Sequence, residues 1–130
     1  MKPQPVSKQS RFAILSKGLR RERGRMNATE RAYADMLNSC DDVAQWWFEP
    51  FTLRLSRPPE GQPAKYTPDF IVLMGDGMTY VDDVKASKGY DDNAAIVRIK
   101  CAAEQYTLWT FRTVYKRRQK DGGGWDRHEV

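Results

Sequence analysis

The sequence predicts an α/β domain, a mixed sheet with helices packed on it, led by a basic arm. Three observations carry that expectation. Helical spacing of apolar residues appears twice, over residues 27–40 and 93–105. Between the two lies a hairpin pattern whose first arm holds Phe70-Ile71-Val72-Leu73-Met74, apolar on both faces as a doubly covered strand requires. A β-rich run, residues 108–115, follows the second helix. With 130 residues the chain can bury one modest core.

Each element has a local reason. Asn27 is a good N-cap, and Glu30 completes an Asn-x-x-Glu capping box. Tyr33, Met36, Leu37 and Cys40 then recur at helical spacing, and Asp41-Asp42 marks the exit. In Phe51-Thr52-Leu53-Arg54-Leu55 the apolar residues alternate with Thr52 and Arg54, which predicts a strand, with Trp46-Trp47-Phe48 leading into it. Residues 57–63, rich in proline, form a loop. Residues 66–74 and 78–86 are the two arms of a hairpin turned at Gly75-Asp76-Gly77. Asp91 or Asp92 can cap the second helix, whose apolar face holds Ile96, Ile99, Ala103 and Tyr106. Three parts result: a basic flexible arm (1–25), a folded domain (26–116) and a basic, glycine-rich tail (117–130) in which Trp125 has no assigned partner.

Composition narrows the chemistry. Cys40 and Cys101 are far apart without ligand-spaced neighbours, so neither a zinc site nor a disulfide framework is expected. The single histidine, His128, lies near the end, which argues against histidine general bases and Ser/His triads. No apolar run could span a bilayer, and residues 1–10 lack the apolar segment of a signal peptide, so a cytoplasmic protein without membrane partners is expected. Net charge is +5, yet residues 1–25 hold eight Lys or Arg against Glu22 alone, leaving the rest of the chain slightly acidic. Such an arm suits a polyanion through counterion release, although a solvated tail would have the same composition.

The hairpin carries the chemistry. Asp83 and Lys85 lie two apart on the return arm and share a face, while Asp82 and Val84 face the other way. Asp69 precedes Asp76 by as many residues as Asp83 follows it, so pairing about the turn sets Asp69 across from Asp83 and Lys85. Two carboxylates, with a strand carbonyl such as that of Val84, form an oxygen donor set for Mg²⁺. Lys85 is placed to orient water or to stabilise charge on a phosphate. The alternative for these residues is a cross-strand salt bridge.

At these positions the sequence resembles the PD-(D/E)xK nuclease superfamily, and within it the phage endonuclease I type Holliday-junction resolvases and their small phage relatives. The resemblance spans roughly residues 26–115 and rests on Tyr66-Thr67-Pro68-Asp69-Phe70, on Tyr80-Val81-Asp82-Asp83-Val84-Lys85, on residues 90–100, and on Phe48-Glu49-Pro50-Phe51 with the Glu30 helix ahead of it. It implies a restriction-endonuclease-like α-β-β-β-α-β core and Mg²⁺-dependent hydrolysis of DNA, with Mn²⁺ able to substitute. Asp69 and Asp83 would be metal ligands, Lys85 the catalytic lysine, and Glu30 a first-helix carboxylate joining the site. Capping the Asn27 amide is an equally good reading of Glu30, and one residue could do both. Asp83 stands where close relatives more often have Glu, and Ala86 where Gly is common.

The expected function is a Mg²⁺-dependent endodeoxyribonuclease selective for branched DNA, acting as a homodimer in the cytoplasm (the host's, if phage-encoded). Arg20, Arg21, Arg23 and Arg25 in the arm, Lys100 on the second helix, and Lys116, Arg117 and Arg118 after the last strand are the candidate phosphate contacts. Competing readings are a monomeric nicking or end-processing nuclease, a non-catalytic nucleic-acid-binding protein on a nuclease scaffold, and a module whose arm contacts an acidic protein.

Overall fold

A computed structural model describes residues 25–55, 64–86 and 93–130. The first helix, α1 (Ala28–Ser39), begins at the expected capping box. The Asn27 side chain accepts from the Glu30 amide at 2.8 Å, and Glu30 accepts from the Asn27 amide at 2.9 Å. The helix buries Tyr33, Ala34 and Leu37. Strands β1 (Val43–Phe48), β2 (Leu53–Arg54), β3 (Lys65–Tyr66), β4 (Phe70–Met74) and β5 (Thr79–Lys85) follow, then α2 (Asn93–Gln105), β6 (Thr110–Lys116), a short 3₁₀ turn (Gln119–Asp121) and β7 (Trp125–Glu129).

Five strands form a mixed sheet in the order β1-β4-β5-β6-β7. Only the β5–β6 pair is parallel, as expected where α2 makes the crossover between them. The helices cover opposite faces. On one, α1 packs with Trp46, Phe48, Phe70, Val72 and Val114. On the other, Ile99 and Ala102 of α2 pack with Leu53, Tyr66, Ile71, Val81 and Phe111. Alternation along β4 sends Phe70 and Val72 into the first layer and Ile71 into the second, which is why this strand is apolar throughout.

The hairpin turns as expected. Gly77 has φ 96°, a region that favours glycine, and the Asp76 side chain accepts from the Met78 amide at 2.9 Å.

The structure departs from the sequence expectation in three places. Residues 43–48 are not a lead-in but a sheet strand in their own right, paired with β4. The expected single arm 66–74 is broken at Thr67-Pro68-Asp69. Tyr66 belongs instead to a separate two-stranded ribbon in which Leu53 pairs with Tyr66 and Arg54 with Lys65. Residues 117–130, expected as a tail, return as β7 along β6, and Trp125 packs edge-on against Tyr33 at 4.9 Å. Gly122, Gly123 and Gly124 all have positive φ, so this glycine run is a built turn that reverses the chain into β7.

The expected arm, with Arg20, Arg21 and Arg23, and the Asp91 or Asp92 cap lie outside the described residues. Among the described residues no helix is long and apolar enough to cross a membrane.

Candidate active site

Asp69 sits just before β4, where that strand emerges between β1 and β5. The β1–β4 register continues to it: the Glu49 amide donates to the Asp69 carbonyl at 2.7 Å, with Glu49 in the left-handed region at φ 43°. On the other side the ladder ends at Phe70–Asp82, so the same register sets Asp69 opposite Asp83. The Asp69 carboxylate turns across the gap and its Oδ2 accepts from the Val84 amide at 2.8 Å. In an extended strand the N–H and C=O of one residue leave the same edge. The Val84 carbonyl therefore issues toward the edge that faces Asp69.

Asp83 is nearly buried on the α2 face of the sheet. Its Oδ2 lies 2.7 Å from the Lys85 ammonium, and the Tyr66 hydroxyl donates to its Oδ1 across a longer 3.4 Å. Among the described residues this buried oxygen has no hydrogen-bond partner, so its contact with Lys85 is an ion pair. Asp69, Asp83 and Lys85 thus come together at the open end of the hairpin, on one face.

The electrostatics of the group are those of crowded carboxylates. Burial and the negative charge of Asp83 push the Asp69 carboxyl up to about 8, with Glu30 adding to the repulsion, while the Val84 amide and Lys85 act in the opposite direction. Burial, and after it the charges of Asp83 and Asp69, likewise raise the Tyr66 phenol, which stays protonated and donates to Asp83.

The other expected residues have different fates. Glu30 stands within electrostatic reach of Asp69, but its Oε1 is committed to the Asn27 amide. Among the described residues no three His, Cys, Asp or Glu side chains are grouped to hold a metal. Asp82 faces away from Asp69 and Asp83, as alternation requires, and is fully buried on the α1 side. Arg25, Lys100 and Lys116 are exposed. Arg117 and Arg118 are also exposed but form ion pairs with Asp126 and Asp121, so part of their charge is compensated locally. Arg127 was not anticipated. It lies over the Tyr33 ring, and its Nε donates to the Tyr33 hydroxyl at 3.2 Å. Tyr66 was not anticipated as a contact of Asp83 either, because the β2–β3 ribbon that brings it there leaves no local signal in the sequence.

Neither a protein-family model nor a curated protein matches the chain.

Proposed function

We propose that the protein is a metal-dependent endodeoxyribonuclease on a restriction-endonuclease-like core of the PD-(D/E)xK superfamily. The observation that carries this reading is the convergence of Asp69, Asp83 and Lys85 at the open end of the β4–β5 hairpin. The run α1, three antiparallel strands (β1, β4, β5), α2 and the parallel β6 supports the fold assignment.

The donor set fits a hard divalent cation. Burial, and after it the charge of the neighbouring Asp83, pushes the Asp69 carboxyl well above the ordinary carboxylate range. A Mg²⁺ ion held by Asp69, Asp83 and the Val84 carbonyl would offset both the burial of that charge and its repulsion by Asp83. When bound, the ion supplies charge neutralisation at the phosphate and a more acidic water.

The chain's own groups do the rest. Val84 fixes the orientation of Asp69 through its amide, and Tyr66 braces Asp83. Lys85, anchored by Asp83, presents a cation to the phosphate oxygens, where negative charge grows in the transition state. Arg25, Lys100, Lys116, Arg117 and Arg118, with Arg20, Arg21 and Arg23, are the proposed backbone contacts. Paired cuts in branched DNA would require two copies, so the active form is proposed as a homodimer.

The Asp83–Lys85 ion pair also fits a second reading, a nucleic-acid-binding scaffold without catalysis, in which the pair is structural. Labelled four-way junctions, flaps, duplex and single strands, incubated with Mg²⁺ or EDTA, separate the two. Metal-dependent cleavage lost in Asp69→Asn, and reduced roughly 10²–10³-fold in Lys85→Ala, supports the nuclease. Symmetric cuts confined to junctions add the resolvase specificity. Metal-independent binding without cleavage, unchanged in both variants, leaves the scaffold.

A further inference from the structure

The β2–β3 ribbon has two unlike faces. Leu53, Leu55 and Tyr66 turn inward and bury with Ile99 and Ala102 of α2. Alternation turns Thr52, Arg54, Lys65 and Thr67 outward, where all but the half-buried Thr67 are exposed. The Tyr106 hydroxyl donates to the Arg54 carbonyl at 2.6 Å, which pins the ribbon just past the end of α2. Its outer face is therefore a fixed surface.

Two like charges meet on that face, because Arg54 pairs with Lys65. The Leu55 amide donates to the Ala64 carbonyl at 2.9 Å, which makes Arg54–Lys65 the non-hydrogen-bonded pair beside it. Side chains come closest at such a pair, and like charges directly opposite destabilise it. Neither cation makes an ion pair among the described residues, and residues 51–55 and 64–67 include no acid. An anion held between the two cations would remove the repulsion. The next row adds two hydroxyls: Thr52 and Thr67 lie Oγ1 to Oγ1 at 2.6 Å. Two residues of strand, about 7 Å, separate this row from the cations. Thr67 in turn precedes Asp69 by two residues, a span of at most about 7 Å. Cations, hydroxyls and candidate carboxylates thus follow in steps comparable with those between neighbouring phosphates of an extended strand.

We propose that the outer face of the β2–β3 ribbon is a track for the nucleic-acid backbone leading into the candidate site. Arg54 and Lys65 hold one phosphate between them, and the Thr52–Thr67 hydroxyls meet the next, which adjoins the phosphate at Asp69 and Asp83. Arginine, lysine and threonine side chains are common phosphate contacts, and such contacts fix register without reading sequence. An acidic peptide can meet the same cations, but only a phosphodiester strand also has a use for the site where the track ends. The proposal rests on the nuclease reading for that last phosphate, and not for the binding itself.

The test titrates the full chain, in EDTA, into a fluorescein-labelled single-stranded oligodeoxynucleotide at a series of NaCl concentrations, with anisotropy as the readout. The pair Arg54→Gln with Lys65→Gln is expected to weaken binding at low salt by about tenfold or more. It should also lessen the slope of log affinity against log salt by about 0.7, the share of one phosphate on a single strand. The pair Thr52→Val with Thr67→Val keeps the branched shape and removes the hydroxyls. It should weaken binding about threefold to tenfold with the slope unchanged, since no counterion is involved. Arg31→Gln with Arg98→Gln, which removes equal charge from exposed helix positions, should change the slope little. In urea the ribbon charge variant should unfold at or above the wild-type midpoint, because a like-charge repulsion is gone.

Affinity and slope unchanged in the ribbon variants, or an equal loss in the helix variant, would overturn the proposal. So would displacement of the oligonucleotide by polyglutamate as readily as by unlabelled DNA, which would make the face a site for acidic peptides. A lower unfolding midpoint in the charge variant would mean that the two cations hold the ribbon together, and would overturn it as well. Ribbon-dependent binding with no cleavage by wild type on any substrate would instead keep the track and remove the nuclease reading. Cleavage by wild type, with the ribbon variants binding as tightly, would keep the nuclease and remove the track.

Discussion

Arg112 grips the buried Asp82 carboxylate with two hydrogen bonds, Nε to Oδ1 at 2.7 Å and Nη2 to Oδ2 at 2.8 Å. The Tyr33 hydroxyl adds a third at 2.5 Å, and the guanidinium lies 3.7 Å from the centre of the Tyr80 ring. Burial lowers the basicity of Arg112, but its hydrogen bonds with Asp82 and the charge of that carboxylate outweigh this and raise it. The pair ties β5 to β6 at the residue before Asp83, and through Tyr33 ties both to α1.

Removing one partner leaves the other charge stranded in the core. Arg112→Ala is expected to destabilise the fold by about 3–5 kcal/mol, measured by urea unfolding. Replacing both residues at once, Asp82→Leu with Arg112→Met, should cost clearly less than Arg112→Ala, because no uncompensated charge remains. An equal loss in the double variant would mean that the pair acts through something other than buried charge.

Trp125 should behave as a core residue. It packs against Tyr33, and its strand completes the sheet along β6. Trp125→Ala is expected to cost about 3–5 kcal/mol by the same measurement. A chain ended after Lys116 should lose its cooperative unfolding transition, because the β6 edge and one side of Tyr33 would be uncovered. A truncated protein with wild-type stability would return residues 117–130 to the role of a dispensable tail.

What was legible in the sequence follows from how local each signal is. The capping box at Asn27 and Glu30 announces α1 within four residues, and the spacing of Ile96, Ile99 and Ala103 delimits α2 to the residues observed. The Gly-Asp-Gly turn fixes the hairpin register, so the meeting of Asp69 with Asp83 could be counted off the chain. The misplaced elements depend on partners distant in sequence. Val43-Ala44-Gln45-Trp46-Trp47-Phe48 lacks clean alternation and becomes a strand by pairing with β4. Trp125-Asp126-Arg127-His128-Glu129 is polar enough to read as a tail, yet it serves as an edge strand with Trp125 turned to the core. The Tyr66–Asp83 contact arises only once β2 and β3 form their ribbon.

Asp69 makes stability depend on pH in a direction opposite to that of an ordinary salt-bridged carboxylate. In the folded chain it holds its proton up to about pH 8. In the unfolded chain the same group ionises near pH ~4. Between these values the folded state binds more protons, so this group's contribution is fully present below about pH 4 and is lost as pH rises through about 8. Asn at this position keeps an oxygen for the Val84 amide and removes the ionisation. Asp69→Asn is therefore expected to melt at least roughly 4 °C above wild type at pH 9, with the gap closing toward pH 4. A constant gap across that range would show that Asp69 ionises normally in the fold.

Divalent cation binding should follow from the same proton. If Asp69 and Asp83 hold Mg²⁺, the ion must displace the proton that burial and Asp83 keep on Asp69, so binding tightens as pH rises from 6 to 9. Titration calorimetry in two buffers of different ionisation enthalpy should show proton release on binding at pH 7, and little or none at pH 9. Mg²⁺ should also raise the melting temperature of wild type more at pH 9 than at pH 6, and leave Asp69→Asn unmoved at both. Removing the ion with EDTA should reverse the gain. Equal Mg²⁺ stabilisation of wild type and Asp69→Asn would place the cation elsewhere on the protein, and affinity that does not change with pH would mean that Asp69 carries no proton for it to displace.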